Sequence, residues 1–214
     1  MSNWEYAQIV PTDVWRNAMT LPRKLSLKNT SKGVRMFTTA VKETERLRTG
    51  VKNSFDKKVI KSSMDFATKI EFKPSMIEME LELGLSKNPP SNLGLALSNS
   101  KGEVYKIGFD VTQNQFYSDR TKAGKTAFSD KFAAKVHTAP RLSDNETLKL
   151  HLFFDVGSVE LFADDGAIVM SELFFPNEDF TQLQLYVEGG EVELLDAHIY
   201  ELKNIWRNEM TANP

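Results

Sequence analysis

The chain contains no cysteine. That excludes disulfides, thiolate zinc sites and a cysteine nucleophile, while leaving the compartment open. It also lacks any stretch near the ~18 consecutive apolar residues of a membrane-spanning helix. MSNWEYAQIVP has no basic start followed by an apolar run, and so does not read as a signal peptide. An excess of either charge is missing too. A net charge of −2 gives no electrostatic reason to expect nucleic acid or an anionic membrane as partner. Helical periodicity is nearly absent: TAVKETERLRT, residues 39–49, has charges but no apolar stripe, and is expected to be a loop with one turn at most.

What remains is an ordinary globular balance, 41% apolar and 26% charged residues over 214 positions. A chain of that length buries roughly 70% of its unfolded surface, enough for a core without staples. Its dominant period is two. In SMIEMELELG, Ile77, Met79, Leu81 and Leu83 alternate with Met76, Glu78, Glu80 and Glu82, which predicts a strand with one buried face and one acidic face in water. Similar runs follow, punctuated by turns at Ser100-Lys101-Gly102, Thr112-Gln113-Asn114, Val156-Gly157 and Asp164-Asp165-Gly166. Gly189-Gly190, between QLQLYVE and VELLDAHIYEL, has the form of a two-residue hairpin loop. Ten or so short strands at regular spacing predict an all-β, two-sheet antiparallel β-sandwich, with a closed barrel as the alternative.

The stretch FFDVGSVELFADDG gathers four acids among apolar residues: Asp155, Glu160, Asp164 and Asp165. Paired carboxylates are the tools of glycoside hydrolysis, but they need a pocket that encloses the sugar and a separation of roughly 5–9.5 Å. Asp155, Asp164 and Asp165 sit at turns, where a short acidic side chain bonds nearby amides. Glu160 lies inside a strand, flanked by Val159 and Leu161. It is expected to accept hydrogen bonds from backbone or from an arginine such as Arg120, or else to contact a ligand. The basic stretch 42–61, with seven Lys or Arg against three acids and one aromatic, Phe55, predicts a solvated loop and strand edge rather than a base-stacking surface. His137, His151 and His198 lie far apart in sequence without metal-ligand spacing, so no metal site and no cofactor is expected.

Three ordered motifs carry a resemblance. WEYAQIVPTDVWRNAMTLPRKLSL resembles, in glycoside hydrolase family 32, the junction between a five-bladed propeller and a C-terminal β-sandwich, through Trp4-Glu5-Tyr6, Pro11-Thr12, Trp15-Arg16 and Leu21-Pro22-Arg23. FYSDRTKAGKTAFSDKF resembles the family's Asp-Arg strand and turn through Asp119, Arg120 and Gly124. LHLFFDVGSVELFADDGAIVMSELFFP is similar to its closing signature through Asp155, Ser158, Val159, Glu160, Phe162, Asp165 and Gly166.

The resemblance implies a sandwich of jelly-roll or concanavalin type over residues 16–210, with residues 1–15 a remnant of the propeller and linker. It implies a parent that hydrolyses β-fructosides, as invertases, inulinases and levanases do; its compartment stays open, with a secreted or periplasmic enzyme as one option. The family's catalytic Asn-Asp-Pro and Arg-Asp-Pro motifs and its acid/base Glu beside a Cys are absent here, so no catalytic residue is expected in this chain. Two roles follow. As a structural module the chain would pack on the propeller of its own parent and contribute to oligomer contacts, with Tyr6, Ile9 and Trp15 as interface or core groups. As a relative of carbohydrate-binding module family 66, which the sandwich also resembles, it would bind fructan through Asp119, Arg120, Asp155 and Glu160, with Trp15 or Trp206 as a ring platform.

Overall fold

The computed structural model describes residues 5–205 apart from 14, 17 and 86; Trp4 and Trp206 lie outside the described residues. Strands are numbered in chain order. A hairpin that forms a two-stranded sheet of its own, β1 (Arg23–Thr30) and β2 (Gly33–Ala40), comes first. A six-residue 3-10 helix, Lys42–Leu47, follows it; at about three residues per turn it is longer than the single turn expected in residues 39–49.

Two antiparallel sheets then form a sandwich. One is ordered β13 (Ile168–Leu173), β12 (Ser158–Ala163), β11 (Thr147–Asp155), β6 (Ile77–Leu85), β15 (Val192–Leu202), β3 (Arg48–Phe55), with β4 (Lys58–Ile60) also on β15. The other is β10 (His137–Pro140), β9 (Gln115–Lys122), β8 (Val104–Asp110), β7 (Asn92–Ser98), β14 (Gln182–Glu188), β5 (Ser63–Asp65). The barrel alternative falls. Each sheet has two open edges.

The alternation seen in the sequence faces the core as expected. Met79, Leu81 and Leu83 of β6 meet Leu93, Leu95 and Leu97 of β7 in one continuous buried cluster. Each such side chain contributes roughly 1.5–3 kcal/mol by leaving water. Four of the five turns are hairpin loops within a sheet. The fifth is not. β14 belongs to the six-stranded sheet and β15 to the other, so Gly189-Gly190 is a corner between sheets. Gly189 takes φ +75°, and a Cβ on Gly190 would stand 2.6 Å from the Pro89 carbonyl oxygen. A local sequence signal for a tight turn cannot tell a hairpin from a corner, because partner choice depends on distant strands.

One row across the six-stranded sheet explains an oddity of composition. Tyr117, Gly108, Gly94 and Tyr186 are register neighbours on β9, β8, β7 and β14. Glycine weakens a strand interior, but here it leaves room for the two phenols to lie across β8 and β7 and meet hydroxyl to hydroxyl. Burial drives the Tyr117 phenol well above its usual pKa, so it stays a neutral hydrogen-bonding group.

Two buried arginines stitch the sandwich, one toward each end of β9. Arg141, whose amide bonds the Asn114 carbonyl just before β9, forks onto Asp164 (2.7 and 3.1 Å) and donates to the Thr147 carbonyl at 2.8 Å. Arg120, near the other end of β9, donates to the carbonyls of Phe132 (2.8 Å) and Leu173 (3.1 Å) and to the Tyr6 hydroxyl (3.1 Å). Tyr6, Val10, Phe132, Leu173 and Phe175 form a second small core around it.

Candidate functional site

The outer face of the seven-stranded sheet collects the polar residues that the sequence singles out. Strand register sets them in rows. Ser171, Glu160, Phe153, Glu78 and Tyr200 form one row across β13, β12, β11, β6 and β15; Val169, Phe162, His151, Glu80 and His198 form the next. The hairpin and the segment before it cover the β12–β13 end of both rows.

Glu160 holds that cover in place. It is buried, and its two carboxylate oxygens accept from the Leu21 amide at 2.6 Å and the Arg23 guanidinium at 2.5 Å. Arg23 also donates to Ser171 at 2.7 Å and lies over the Phe162 ring. The kind of partner expected for Glu160 is present, backbone plus an arginine, but the arginine is Arg23. Arg120 meets Glu172 instead, with Nη1 3.3 Å from Oε2. Glu172 is the register partner of core residue Val159 and Glu160 that of Ser171, so the two acids point to opposite faces of one sheet. Changing Glu160 to Ala is expected to cost roughly 1–3 kcal/mol by stranding the Leu21 amide and Arg23. Urea denaturation measures it, and a loss below experimental error would show that the contact holds nothing.

Glu78 overturns the picture of an acidic stripe in water. It is only 1% exposed, bound by Arg48 through Nε and Nη2 (both 2.6 Å) and by His151 Nε2 at 2.8 Å. Glu80 and Glu82 do reach solvent. Arg48 also stacks on the Tyr200 ring, 3.6 Å from its centroid. It therefore departs from the solvated character expected for residues 42–61, because β3 pairs with β15 and brings it over β6. His151 and His198 are not far apart either: each is a register partner of Glu80, from opposite sides. Glu78, Glu80 and His151 bring one ligand atom each within 4.8 Å. The Arg48 guanidinium, bonded to Glu78 and 3.3 Å from Glu80, supplies the positive charge there and makes this an ion-pair cluster.

Burial alone would raise the Glu78 pKa, but hydrogen bonds from Arg48 and His151 outweigh it and hold the carboxyl below its ordinary 4.5. A depressed folded-state pKa contributes stability that is present above the unfolded value and lost as pH falls through the folded one. Unfolding midpoints should therefore drop below about pH 4.5 in the native chain. In Glu78→Gln that acid-dependent part should be smaller; identical pH profiles would contradict the assignment.

The remaining sequence candidates stay separate. Asp119 accepts from the Thr121 amide (2.9 Å) and hydroxyl (2.6 Å), closing its own turn. Asp155 is exposed and caps the Val156 amide at 2.7 Å. With Arg120 in the interior and Glu160 under Arg23, the four do not line one surface. Of the junction residues, Tyr6 is buried, while Ile9 and Trp15 remain exposed. Arg23, Arg48 and Arg141 were not legible as site residues, because nothing local marks an arginine whose partner lies more than twenty residues away.

Comparison with known proteins fixes the affiliation. The model for the C-terminal part of the glycosyl hydrolases of family 32 matches residues 43–201. The chain belongs to glycosyl hydrolase family 32. Among its family 32 relatives, a levanase of Bacillus sp. (strain L7) is 33% identical over the whole chain and a levanase of Bacillus subtilis (strain 168) is 32% identical over 96% of it. The crystal structure of exo-inulinase from Aspergillus awamori superposes with a TM-score of 0.82 at 26% identity, covering 96% of this chain and 40% of that one. The chain spans only 23% and 30% of the two levanases. Within the family match lie both sheets, Glu78, Arg120, Asp155 and Glu160; the hairpin β1–β2 precedes it.

Proposed function

We propose that this chain is the C-terminal module of a β-fructoside-hydrolysing enzyme and serves that enzyme by packing against its catalytic part, not by chemistry of its own. The observation that carries this is the orientation of the hairpin. Leu25, Leu27, Val34 and Met36 share one face and are 57–75% exposed, while Arg35 and Phe37 of the opposite face line the gap toward the sandwich. A two-stranded hairpin is marginal in water by itself, and one that turns its apolar face outward is built to be covered. The natural cover is the preceding catalytic domain, a five-bladed propeller by family resemblance. The boundary expected from the motifs at residues 15/16 then lies in a stretch that also holds to the sandwich, through Tyr6 before it and Leu21, Arg23 and Thr38 after it. The names of the relatives, levanase and exo-inulinase, support a fructan-hydrolysing parent.

The test is the pair Leu27→Asp and Met36→Asp made in both the 214-residue chain and a full-length parent. The isolated chain should keep its melting temperature and release no fructose from sucrose, inulin or levan with or without the changes. The parent should lose the coupling between its two domains, unfolding in two separate transitions with easier proteolysis near residue 41. A parent that still unfolds as one unit would remove the packing role of the hairpin. Fructose release by the repurified chain would remove the non-catalytic reading.

A further inference from the structure

The hairpin β1–β2 is fastened to the sandwich without entering its interior. Among the described residues, none from 21 to 40 belongs to either buried apolar cluster, and Leu25, Leu27, Val34 and Met36 turn outward. What joins it to the sandwich is polar or charged. At its base Glu160 accepts from the Leu21 amide and from Arg23, Arg23 also donates to Ser171, and the Gly166 carbonyl accepts from the Thr38 amide at 2.9 Å. At its tip Ser31 donates to Asp144 at 3.2 Å, and Lys32 stands 3.4 Å from the same carboxylate.

Charge is divided between the two parts in the sense that draws them together. Residues 23–40 hold five of the chain's 27 bases, Arg23, Lys24, Lys28, Lys32 and Arg35, and none of its 29 acids, which leaves 22 bases against 29 acids elsewhere. Between tip and base lies a gap of about 880 Å³ with Arg35 and Phe37 on its hairpin wall. Lys28 is the register partner of Arg35 and so shares its face. It lies over the Phe37 ring, 4.2 Å from the centroid, while Arg35 donates to the adjacent Val34 carbonyl at 3.0 Å. Neither is engaged by an acid in these contacts, so both charges act across the gap. Opposite them stand Glu82, Asp144, Glu146 and Asp165, with Lys149 paired to Glu82 and Asp165.

We infer that the hairpin is a strap that charge holds on the sandwich and that rising ionic strength releases while the sandwich stays folded. The Debye length falls from about 30 Å at 0.01 M to about 3 Å at 1 M, which removes attraction between exposed charges separated by a gap. The apolar clusters of the sandwich have no charge to screen, and they contain no part of the hairpin. Release begins at the tip. Lys32 and Asp144 keep 42% and 69% of their side-chain surface in water, against 24% and 6% for Arg23 and Glu160, and exposed pairs are screened more than part-buried ones. The base is therefore the pivot. What covers the outward apolar face has no bearing on this strap, which belongs to the chain itself.

The absence of cysteine makes the experiment direct. Spin labels on Asn29→Cys, near the hairpin tip, and Gln184→Cys, an exposed position on β14, report the distance from strap to sandwich by double electron–electron resonance. Between about 0.02 M and 1 M sodium chloride that distance should shift and its distribution broaden, while a second pair within the sandwich, Val156→Cys with Gln184→Cys, stays constant. Reversing the gap charges with Lys28→Glu and Arg35→Glu should raise the lifted population at about 0.02 M salt at least about tenfold. The neutral pair Lys28→Gln and Arg35→Gln should fall between the native chain and the reversal. A strap distance indifferent to salt and to charge reversal would show that hydrogen bonds alone hold the hairpin, and would overturn the inference. So would a strap already lifted at low salt, or a salt response shared by the pair within the sandwich.

Discussion

Replacing Arg120 with alanine is expected to destabilise the chain by about 3–5 kcal/mol, the range for removing one member of a buried charged network. Its guanidinium holds two carbonyls and the Tyr6 hydroxyl, balances Glu172 and stacks 3.9 Å from the Phe132 ring centroid. Deletion strands all three acceptors and leaves Glu172, only 8% exposed, with His137 as its remaining partner. The loss should also loosen the small core in which Tyr6 sits, so proteolysis near residues 6–13 should quicken. Guanidinium denaturation gives the magnitude. The double variant Arg120→Met with Glu172→Leu, which removes the stranded charge as well, should recover part of the loss. A single-variant cost under about 1 kcal/mol would mean that the network is not a structural element.

The second large effect is expected at the opposite end of the sandwich. Arg141→Ala should cost a similar ~3–5 kcal/mol, because Asp164 is buried and, apart from a long bond from the Lys149 amide at 3.5 Å, its carboxylate is held by that fork. The two changes differ in where the damage appears. Loss of Arg141 frees the turn Asp164-Asp165-Gly166, whose Gly166 carbonyl accepts from the Thr38 amide of the hairpin at 2.9 Å. Hydrogen exchange should therefore accelerate at Thr38 and along β12–β13 in Arg141→Ala, and around residues 128–133 and 173–175 in Arg120→Ala. Exchange profiles that coincide would show that the two arginines act on global stability alone. The sites share no partner, so their costs should add within a few tenths of a kcal/mol.

The four acids of FFDVGSVELFADDG show how far local chemistry carries. Asp155, Asp164 and Asp165 were legible as turn formers from their positions beside glycine or at strand ends, and the backbone places them there. That Asp164 also anchors a buried arginine was not legible, since Arg141 lies 23 residues upstream. Glu160 was legible as a partnered acid within a strand. Which arginine partners it depended on the hairpin folding back over β12, a contact 137 residues long. The same limit explains Gly189-Gly190, right as a turn and wrong as a hairpin.

By itself the sequence determined the all-β class, the strands with their buried faces, most of the turns and, through its three motifs, the family. Those properties are written in period-two alternation, in turn residues and in local order, none of which needs a partner to be recognised. Only the tertiary structure decided which strands share a sheet, that Glu78 is buried while Glu80 and Glu82 are not, that His151 and His198 flank one glutamate, and that a hairpin leaves a cleft beneath it and an apolar face above. Each of these is a long-range pairing. Its energy comes from groups that a linear pattern does not bring together, because alternation fixes the face on which a side chain stands and leaves open what stands opposite.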